Sequence, residues 1–444
     1  MPNKIIVKEK ICNFYKKISI PGDKSISIRL ILISSLASGT SKVKNLLMSE
    51  DVYASIQAIK KLGVKVLVKK NICRIHGVGM QGFKYRKNLL INAQNSGTLG
   101  RLISGILVDF PFPIKIIGDK SLSKRDFKRI AVPLRKFGAS FSLKNNCNLP
   151  LIINGSKKLK SIRFFENKGS AQCKSSVIFA GLKADGKTII KAKKSRDHTE
   201  LLLKYLKLPI KVKKNKNFDL IEIHKVNKIK PINYNVPSDI SSGAFFIALT
   251  VLTEKSKLII KNVNINPTRT GIINILKKMG VKISFIKKKN YKGEAIADIL
   301  VKSPKNLRSI NCPSKLNSGA IDEFLVIFLI AAKAKGVSIF RNLDELNKKE
   351  SPRLKWGSKI LNMMGIKTIL KNNTLKIYGN PKLNIKKEIK IKNYYKDHRI
   401  FMTSVIGGLV TGGKWTIHDV NSYRSSFPSF MNILRKIGFN ATYR

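Results

Sequence analysis

The apolar positions of this chain recur in two alternating forms. In the first, a helical spacing ends at a small-residue stop and continues into a short strand-like run. It is seen at 56–66 (IQAIKKLGVKV), 133–141 (PLRKFGASF), 273–283 (INILKKMGVKI), 360–369 (ILNMMGIKTI) and 433–441 (ILRKIGFNA). The stops are Gly63, Gly138, Gly280, Gly365 and Gly438. A glycine after a helix takes the left-handed cap that other residues resist. Gly138 and Gly280 are 142 residues apart, twice the usual interval, and the midpoint holds a sixth copy at 202–212 (LLKYLKLPIKV) with Leu208-Pro209 at its stop.

The second form is a polar head followed by an almost wholly apolar helix. Heads begin at Lys24, Asn95, Ser170, Asp239, Asp322 and Asp397, and the apolar bodies run over 30–37, 102–108, 177–182, 244–252, 324–332 and 400–409. Helices apolar on every side belong inside a domain. The chain therefore reads as six units of about 70 to 85 residues, each pairing one buried and one amphipathic helix with several strands. Three units per domain place a boundary near Val236-Pro237, about halfway. The class is α/β with internal pseudo-symmetry.

A length of 444 residues agrees with two domains of about 200 residues. No apolar run reaches the ~18–20 residues that span a bilayer, and the N-terminus has neither a signal core nor the character of a transit peptide. A soluble cytoplasmic protein that does not engage a membrane is expected. Cys12, Cys73, Cys147, Cys173 and Cys312 are odd in number, widely spaced and free of any C-x-x-C pair. This argues against disulfides and a cysteine-based zinc site.

The net charge of +62 raises the question of nucleic acid. The lysines, however, run along the whole chain, with no basic arm and no interleaved aromatic platform. Lys, Asn and Ile are the residues of A/T-rich codons, so compositional bias is the simpler source, and no nucleic-acid partner is expected. Such a field speeds the arrival of anionic substrates in any case.

Each buried helix begins with unpaired backbone N–H groups and a positive dipole end. A polar residue there is by default an N-cap. These heads are richer: Lys24, Ser25 and Arg29; Asn95, Gly97, Thr98 and Arg101; Ser170, Gln172, Lys174 and Ser175; Asp239, Ser241 and Ser242; Asp322 and Glu323; Asp397, His398 and Arg399. Converging helix N-termini with added Lys and Arg make a site for several phosphate and carboxylate groups. Lys24-Ser25 lacks the glycine spacing of a nucleotide-binding P-loop, and no G-x-G-x-x-G follows a strand into a helix. The five histidines show no metal-ligand spacing. His398 fits a base and a helix cap equally.

With these residues in view, the chain resembles the EPSP synthases (3-phosphoshikimate 1-carboxyvinyltransferases) over essentially its whole length. The motifs are PGDKSISIR at 21–29, NSGTLGR at 95–101, GDKSLSKRD at 118–126, SAQCKSS at 170–176, SRDHTE at 195–200 and VPSDISSGAFF at 236–246. They continue as NPTRTG at 266–271, IDEF at 321–324, KESPR at 349–353, KDHR at 396–399 and SSFPSF at 425–430. Ser170-Ala171-Gln172, where other members have Ser-Ser-Gln, is similar to the second bacterial class.

The resemblance implies a two-domain, pseudo-symmetric inside-out α/β barrel of six βαββαβ units, three per domain. The domains would span 23–236 and 237–444 plus 1–22, with an active site between them. It implies transfer of the enolpyruvyl group of phosphoenolpyruvate to the 5-hydroxyl of 3-phosphoshikimate by addition and elimination, with no cofactor, no metal and a monomeric chain. Carried over by motif, Lys24, Ser25, Arg29, Ser170, Ala171, Gln172, Ser195, Asp322 and Lys349 would bind 3-phosphoshikimate. Lys24, Gly97, Arg125, Gln172, Arg353 and Arg399 would bind phosphoenolpyruvate. Asp322, Glu350 and Lys24 would be catalytic, with Asp322 as base toward the 5-hydroxyl and Glu350 as acid toward the methylene carbon.

Three positions depart from the family pattern: Asp126 where proline is usual, Pro352 where Asp or Asn is common, and Ser425, with Arg424 beside it, where some members carry lysine. The related UDP-N-acetylglucosamine enolpyruvyl transferases use a cysteine in the loop that here runs from Lys120 to Arg125, and no cysteine lies between Cys73 and Cys147. A basic RNA-binding protein is the alternative from another class; it would be indifferent to loss of Asp322 and would release its ligand in salt.

Overall fold

A computed structural model of the chain describes residues 3–84, 87–439 and 442–443. Asn440 and Ala441, at the end of the copy at 433–441, lie outside the described residues, as do Met1 and Pro2. The chain divides into two compact units. The N-terminal unit is Gly22–Val236 with Tyr291–Glu294, and the C-terminal unit is Met1–Pro21, Pro237–Asn290 and Ala295–Arg444. Among the described residues no helix is long and apolar enough to cross a membrane, and the five cysteines are unpaired.

The N-terminal unit holds three four-stranded sheets of one design. In the plainest case Leu89–Asn92 lies parallel to Ile114–Ile117, which is antiparallel to Asn148–Asn154, which is antiparallel to Ser140–Lys144. Arg163–Glu166, Lys187–Lys193, Phe218–His224 and Ile210–Lys214 repeat it. So do Asn233–Asn235, Ser38–Lys44, Ile72–Val78 and Lys65–Lys69, where the parallel strand comes from the far end of the unit. The C-terminal unit also has three four-stranded sheets. Two of them are completed by the start of the chain: Tyr15–Ile18 pairs in parallel with Lys257–Asn264, and Lys4–Val7 lies antiparallel to Lys414–His418.

Two sequence expectations are corrected here. The repeat is built on four strands and two main helices, with an added short helix at Asn317–Ala320 in the fifth copy, and its order is β-α-β-α-β-β rather than βαββαβ. Strand 89–92, helix 97–106, strand 114–117, helix 128–135 and strands 140–144 and 148–154 show it. The run after the glycine stop does not lead to a helix; it doubles back as a hairpin. Asn145 and Asn146 both have positive φ (51° and 55°), as do Asn372 and Asn373 (49° and 57°). This is the backbone of a mirror-image two-residue turn that matches strand twist. Second, among the described residues the sheets stay open and four-stranded, and none closes into a barrel. The inside-out part of the expectation holds within each unit, with helices inside and sheets outside.

That arrangement follows from the apolar bodies. Lys24–Ser35, Gly97–Ile106 and Ala171–Gly181 are buried on nearly every side, as are Ile240–Leu252, Phe324–Ala332 and His398–Thr411. The strands bury alternate residues and leave the others to solvent. Gly105 shows how tightly the inner helices pack: a Cβ there would lie 2.0 Å from the Ser176 carbonyl oxygen of the Ala171 helix.

The amphipathic helices stop as the pattern predicts. Gly63, Gly138, Gly280, Gly365 and Gly438 have φ of 88°, 110°, 90°, 83° and 118°. The sixth copy differs. Its left-handed residue is Lys207 (φ 55°), directly before Leu208-Pro209. Leu206 caps His198–Tyr205 as Leu62 caps Glu50–Lys61, so Lys207 stands at the glycine position and the proline follows it.

Candidate functional site

Five of the six inner helices are capped by a side chain in their own head or, for Asp23, directly before it. Asp23 accepts from Ile26 N, Ser96 from Leu99 N, Ser170 from Cys173 N, Asp239 from Ser241 N and Asp397 from Arg399 N. The Phe324 helix has no such cap. Its acidic head is turned elsewhere, and that sets it apart from the others.

In the N-terminal unit the candidate residues fall into two groups. Lys24 leaves the first turn of its helix to pair with Asp51 at 2.8 Å. Ser25 lies on the same turn, and its carbonyl accepts from Arg29 Nη1 at 2.9 Å. The Arg29 guanidinium also donates Nε to Thr199 Oγ1 (2.8 Å) and Nη2 to Ser175 Oγ (3.1 Å). The Ser195 hydroxyl is buried and makes no hydrogen bond to the described residues.

The second group surrounds the Gly97 and Ala171 helices. Gln172 accepts from Arg101 Nη1 at 2.5 Å and donates to Thr98 Oγ1 at 3.0 Å. Ala171 opens the helix that Ser170 caps. Arg101 is also held by the Asp126 carbonyl (3.0 Å) and stands 5.0 Å over the Phe127 ring. Burial, with Arg125 and Arg129 nearby, holds its guanidinium well below the ordinary arginine range. A Cβ on Gly97 would lie 2.9 Å from Arg125 Nη1 and 3.2 Å from Arg101 Nη1. The absent side chain is what lets two guanidiniums approach this helix start, the place where an anion is favoured.

Asp126, where proline was usual, accepts from Arg129 N (3.1 Å) and Nε (3.3 Å). Burial pushes its carboxyl up, but the Arg129 backbone N–H and charge outweigh it and hold the group below its usual range.

The C-terminal unit gathers its candidates around one buried guanidinium. Arg353 donates Nε to Asp397 Oδ2 (2.9 Å) and Nη2 to Asp397 Oδ1 (3.2 Å). Nη2 also donates to Glu350 Oε2 at 2.5 Å, and Nη1 to Asp322 Oδ1 at 3.4 Å. Lys349 Nζ is 3.3 Å from the same Asp322 oxygen. Arg399 donates Nη1 to the Asp322 carbonyl at 2.7 Å. Ser351 donates to Asp397 Oδ2 at 2.8 Å.

Burial alone would lower Arg353, but the carboxylates of Asp397, Glu350 and Asp322 raise it above the ordinary range. For Asp397 burial opposes ionisation and Arg353 favours it, and the second effect wins. Pro352, the unusual residue here, directly precedes the first turn of the helix Arg353–Met363. Proline is tolerated at a helix entry, so Glu350 and Arg353 keep their places. Ser425 shares a 3.4 Å contact with His398 Nδ1, and Arg424 is exposed.

The structure thus joins Asp322, Lys349, Glu350, Arg353 and Arg399 in one network. It brings Arg29 to Ser25, and Gln172 to Arg101 beside Gly97 and Arg125. Motif reading does not name Asp51 or Thr199 as partners, and it names Arg101 and Ser175 only as parts of heads. The recurrence of Ser and Thr beside the heads was the available signal. Among the described residues no group of three His, Cys, Asp or Glu side chains could hold a metal.

A family model described as EPSP synthase (3-phosphoshikimate 1-carboxyvinyltransferase) matches residues 8–434. The 3-phosphoshikimate 1-carboxyvinyltransferase of Caldicellulosiruptor bescii is 40% identical over 417 residues, 94% of this chain and 95% of the relative. That of Ruthia magnifica is 40% identical over 424 residues, 95% of each. The solved EPSP synthase of Acinetobacter baumannii superposes with a TM-score of 0.87 at 36% identity, covering 100% of both chains. The enolpyruvyl transferase NikO of Streptomyces tendae shares the fold, with a TM-score of 0.78 at 12% identity. With this coverage and identity the chain belongs to the EPSP synthase family.

Proposed function

We propose that the chain transfers the enolpyruvyl group of phosphoenolpyruvate to the 5-hydroxyl of 3-phosphoshikimate, giving 5-enolpyruvylshikimate 3-phosphate and phosphate. One observation carries this reading: the acid of the Phe324 helix head does not cap its own helix but meets Lys349 and Arg353, and Arg353 also holds Glu350. A base and an acid anchored on one guanidinium suit a reaction that needs both.

Asp322 takes the proton of the 5-hydroxyl as its oxygen attacks C2 of phosphoenolpyruvate, while Glu350 delivers a proton to C3. The product of this step is a tetrahedral intermediate with a methyl group. Glu350 then removes a methyl proton, the double bond re-forms and phosphate leaves. The cycle starts with Asp322 ionised and Glu350 protonated; Glu350, ion-paired with Arg353 in this structure, takes up its proton from solvent before the chemical step. Fixed cations stabilise charge that develops on the departing phosphate without reorganising at the moment of reaction.

Binding is assigned in the same reading. Lys24, Ser25, Arg29, Ser170, Ala171, Gln172, Ser195, Asp322 and Lys349 take 3-phosphoshikimate. Lys24, Gly97, Arg125, Gln172, Arg353 and Arg399 take phosphoenolpyruvate. The two enolpyruvyl-transferase domains are 23–236 and 237–444 with 1–22, and the working form is a monomer without nucleic acid. Support for the domain bounds comes from strands Lys4–Val7 and Tyr15–Ile18, which complete sheets of the C-terminal unit. The test is phosphate release from phosphoenolpyruvate with and without 3-phosphoshikimate. Release that depends on both substrates is expected; folded protein that releases none overturns the reading.

A further inference from the structure

The first turn of the helix His198–Tyr205 is fixed at three consecutive residues. His198 Nδ1 lies 2.6 Å from Glu294 Oε1, Thr199 Oγ1 accepts from Arg29 Nε at 2.8 Å, and Lys174 Nζ lies 2.6 Å from Glu200 Oε1. All of these residues belong to the N-terminal unit. Within the motif SRDHTE only Ser195 is assigned to a substrate, and residues 198–200 have no binding role in the proposed function.

Two pairs of neighbours meet here. Lys174-Ser175 on the Ala171 helix faces Thr199-Glu200. The buried ion pair Lys174–Glu200 ties the two backbones together, and the adjoining hydroxyls, Ser175 Oγ and Thr199 Oγ1, lie 2.7 Å apart. Both hydroxyls accept from the same guanidinium, Nε on Thr199 and Nη2 on Ser175, while Nη1 donates to the Ser25 carbonyl. Three bonds from three different nitrogens leave the planar group no freedom to rotate. Recognition of a phosphate or carboxylate by arginine depends on that plane.

We propose that Thr199, with Ser175, is a positioning residue that sets the plane in which Arg29 meets 3-phosphoshikimate. This rests on the assignment of Arg29 to that substrate. The three acceptors named are neutral and directional, so they orient the guanidinium by geometry rather than by ion pairing. The Lys174–Glu200 pair keeps the two hydroxyls in register.

The experiment is steady-state kinetics on the full chain, with thermal unfolding followed on each variant. Thr199→Val keeps the shape and removes the hydroxyl. It is expected to raise KM for 3-phosphoshikimate about 10-fold or more, with kcat and KM for phosphoenolpyruvate changed less than about twofold. Thr199→Ser restores the hydroxyl and is expected to recover most of the affinity, which a purely structural role for the threonine methyl would not do. Arg29→Lys is the control for the assignment itself. If it leaves KM for 3-phosphoshikimate unchanged, Arg29 does not bind this substrate and the inference falls with it. If it raises that KM while folded Thr199→Val does not, Thr199 does not position Arg29. Should Thr199→Val fail to fold, Ser175→Ala removes the second hydroxyl with a smaller side chain. A rise in the same KM is then expected, and an unchanged value overturns the proposal.

Discussion

Arg29 and Arg353 are both buried guanidiniums, and they are held in different ways. Among the described contacts, two hydroxyls and a carbonyl orient Arg29, whereas three carboxylates clamp Arg353. Arg101 follows the first pattern, with an amide and a carbonyl. Neutral acceptors give direction and do not titrate. Carboxylates balance buried charge, and they also take up and release protons. The N-terminal cluster is therefore suited to gripping anions, and the C-terminal cluster to moving protons as well.

The sharpest way to break this contrast is to remove the carboxylates. Asp322→Ala and Glu350→Ala are each expected to lower kcat by about 10²- to 10⁴-fold, the usual range for loss of a positioned acid or base. Both variants should remain folded, because each leaves Arg353 its two bonds to Asp397. Single-turnover phosphate release reads the effect. A variant that keeps its turnover would reduce the C-terminal cluster to a second anion grip.

The next effect is on stability. Asp397→Asn keeps a good helix cap but removes one of the three carboxylates that balance Arg353, the one with two bonds to it. Breaking one side of a buried pair costs about 3–5 kcal/mol, read from urea unfolding at neutral pH. The native carboxyl of Asp397 is held below its usual range. Its contribution is therefore complete above the unfolded value of about 4 and is lost as pH falls through the lowered native value. Wild-type protein should lose this part of its stability in acid, and Asp397→Asn should show a flatter acid limb. An unchanged limb would mean that Arg353 does not depend on this charge.

Gln172→Leu probes the neutral side. It removes the acceptor of Arg101 and the donor to Thr98. The expected rise in KM for phosphoenolpyruvate is about 10-fold. The pH dependence of kcat should keep its shape, because nothing titratable has been removed. A changed profile would show that the N-terminal cluster also takes part in proton transfer.

Local pattern was enough for features written in neighbouring residues. All-apolar bodies marked the six inner helices, and left-handed glycines marked the helix stops. Pairing across repeats was not legible. Arg29 and Ser175 are 146 positions apart and Arg29 and Thr199 are 170 apart, and no spacing rule connects them. Periodicity groups Asp322 with five other heads, and only the family resemblance names it as a base. Only the structure shows that the other five helices are capped at or directly before their own heads while Asp322 faces Lys349 and Arg353. The strand order was misread for a related reason. A short run after a glycine stop looks alike whether it continues to a helix or turns back, and what decides it is an Asn-Asn pair with positive φ.

The smallest prediction concerns the helix that carries Thr199, and hence the fixed geometry on the neutral side of the contrast. Its sixth-copy stop was read at Leu208-Pro209, but the left-handed residue is Lys207, at φ 55°. A residue with a Cβ is strained in that region by about 1–2 kcal/mol. Glycine removes the strain but frees the unfolded chain by about 0.4–1 kcal/mol. Lys207→Gly should therefore stabilise the N-terminal unit by about 0.5 kcal/mol, a rise in Tm of about 1–2 °C for a unit of this size. Because the stop lies beyond the far end of the helix from Thr199, KM for 3-phosphoshikimate should not change. A raised KM would show that the orientation of Arg29 depends on the whole helix rather than on its first turn, and that the neutral clamp is softer than its hydrogen bonds suggest.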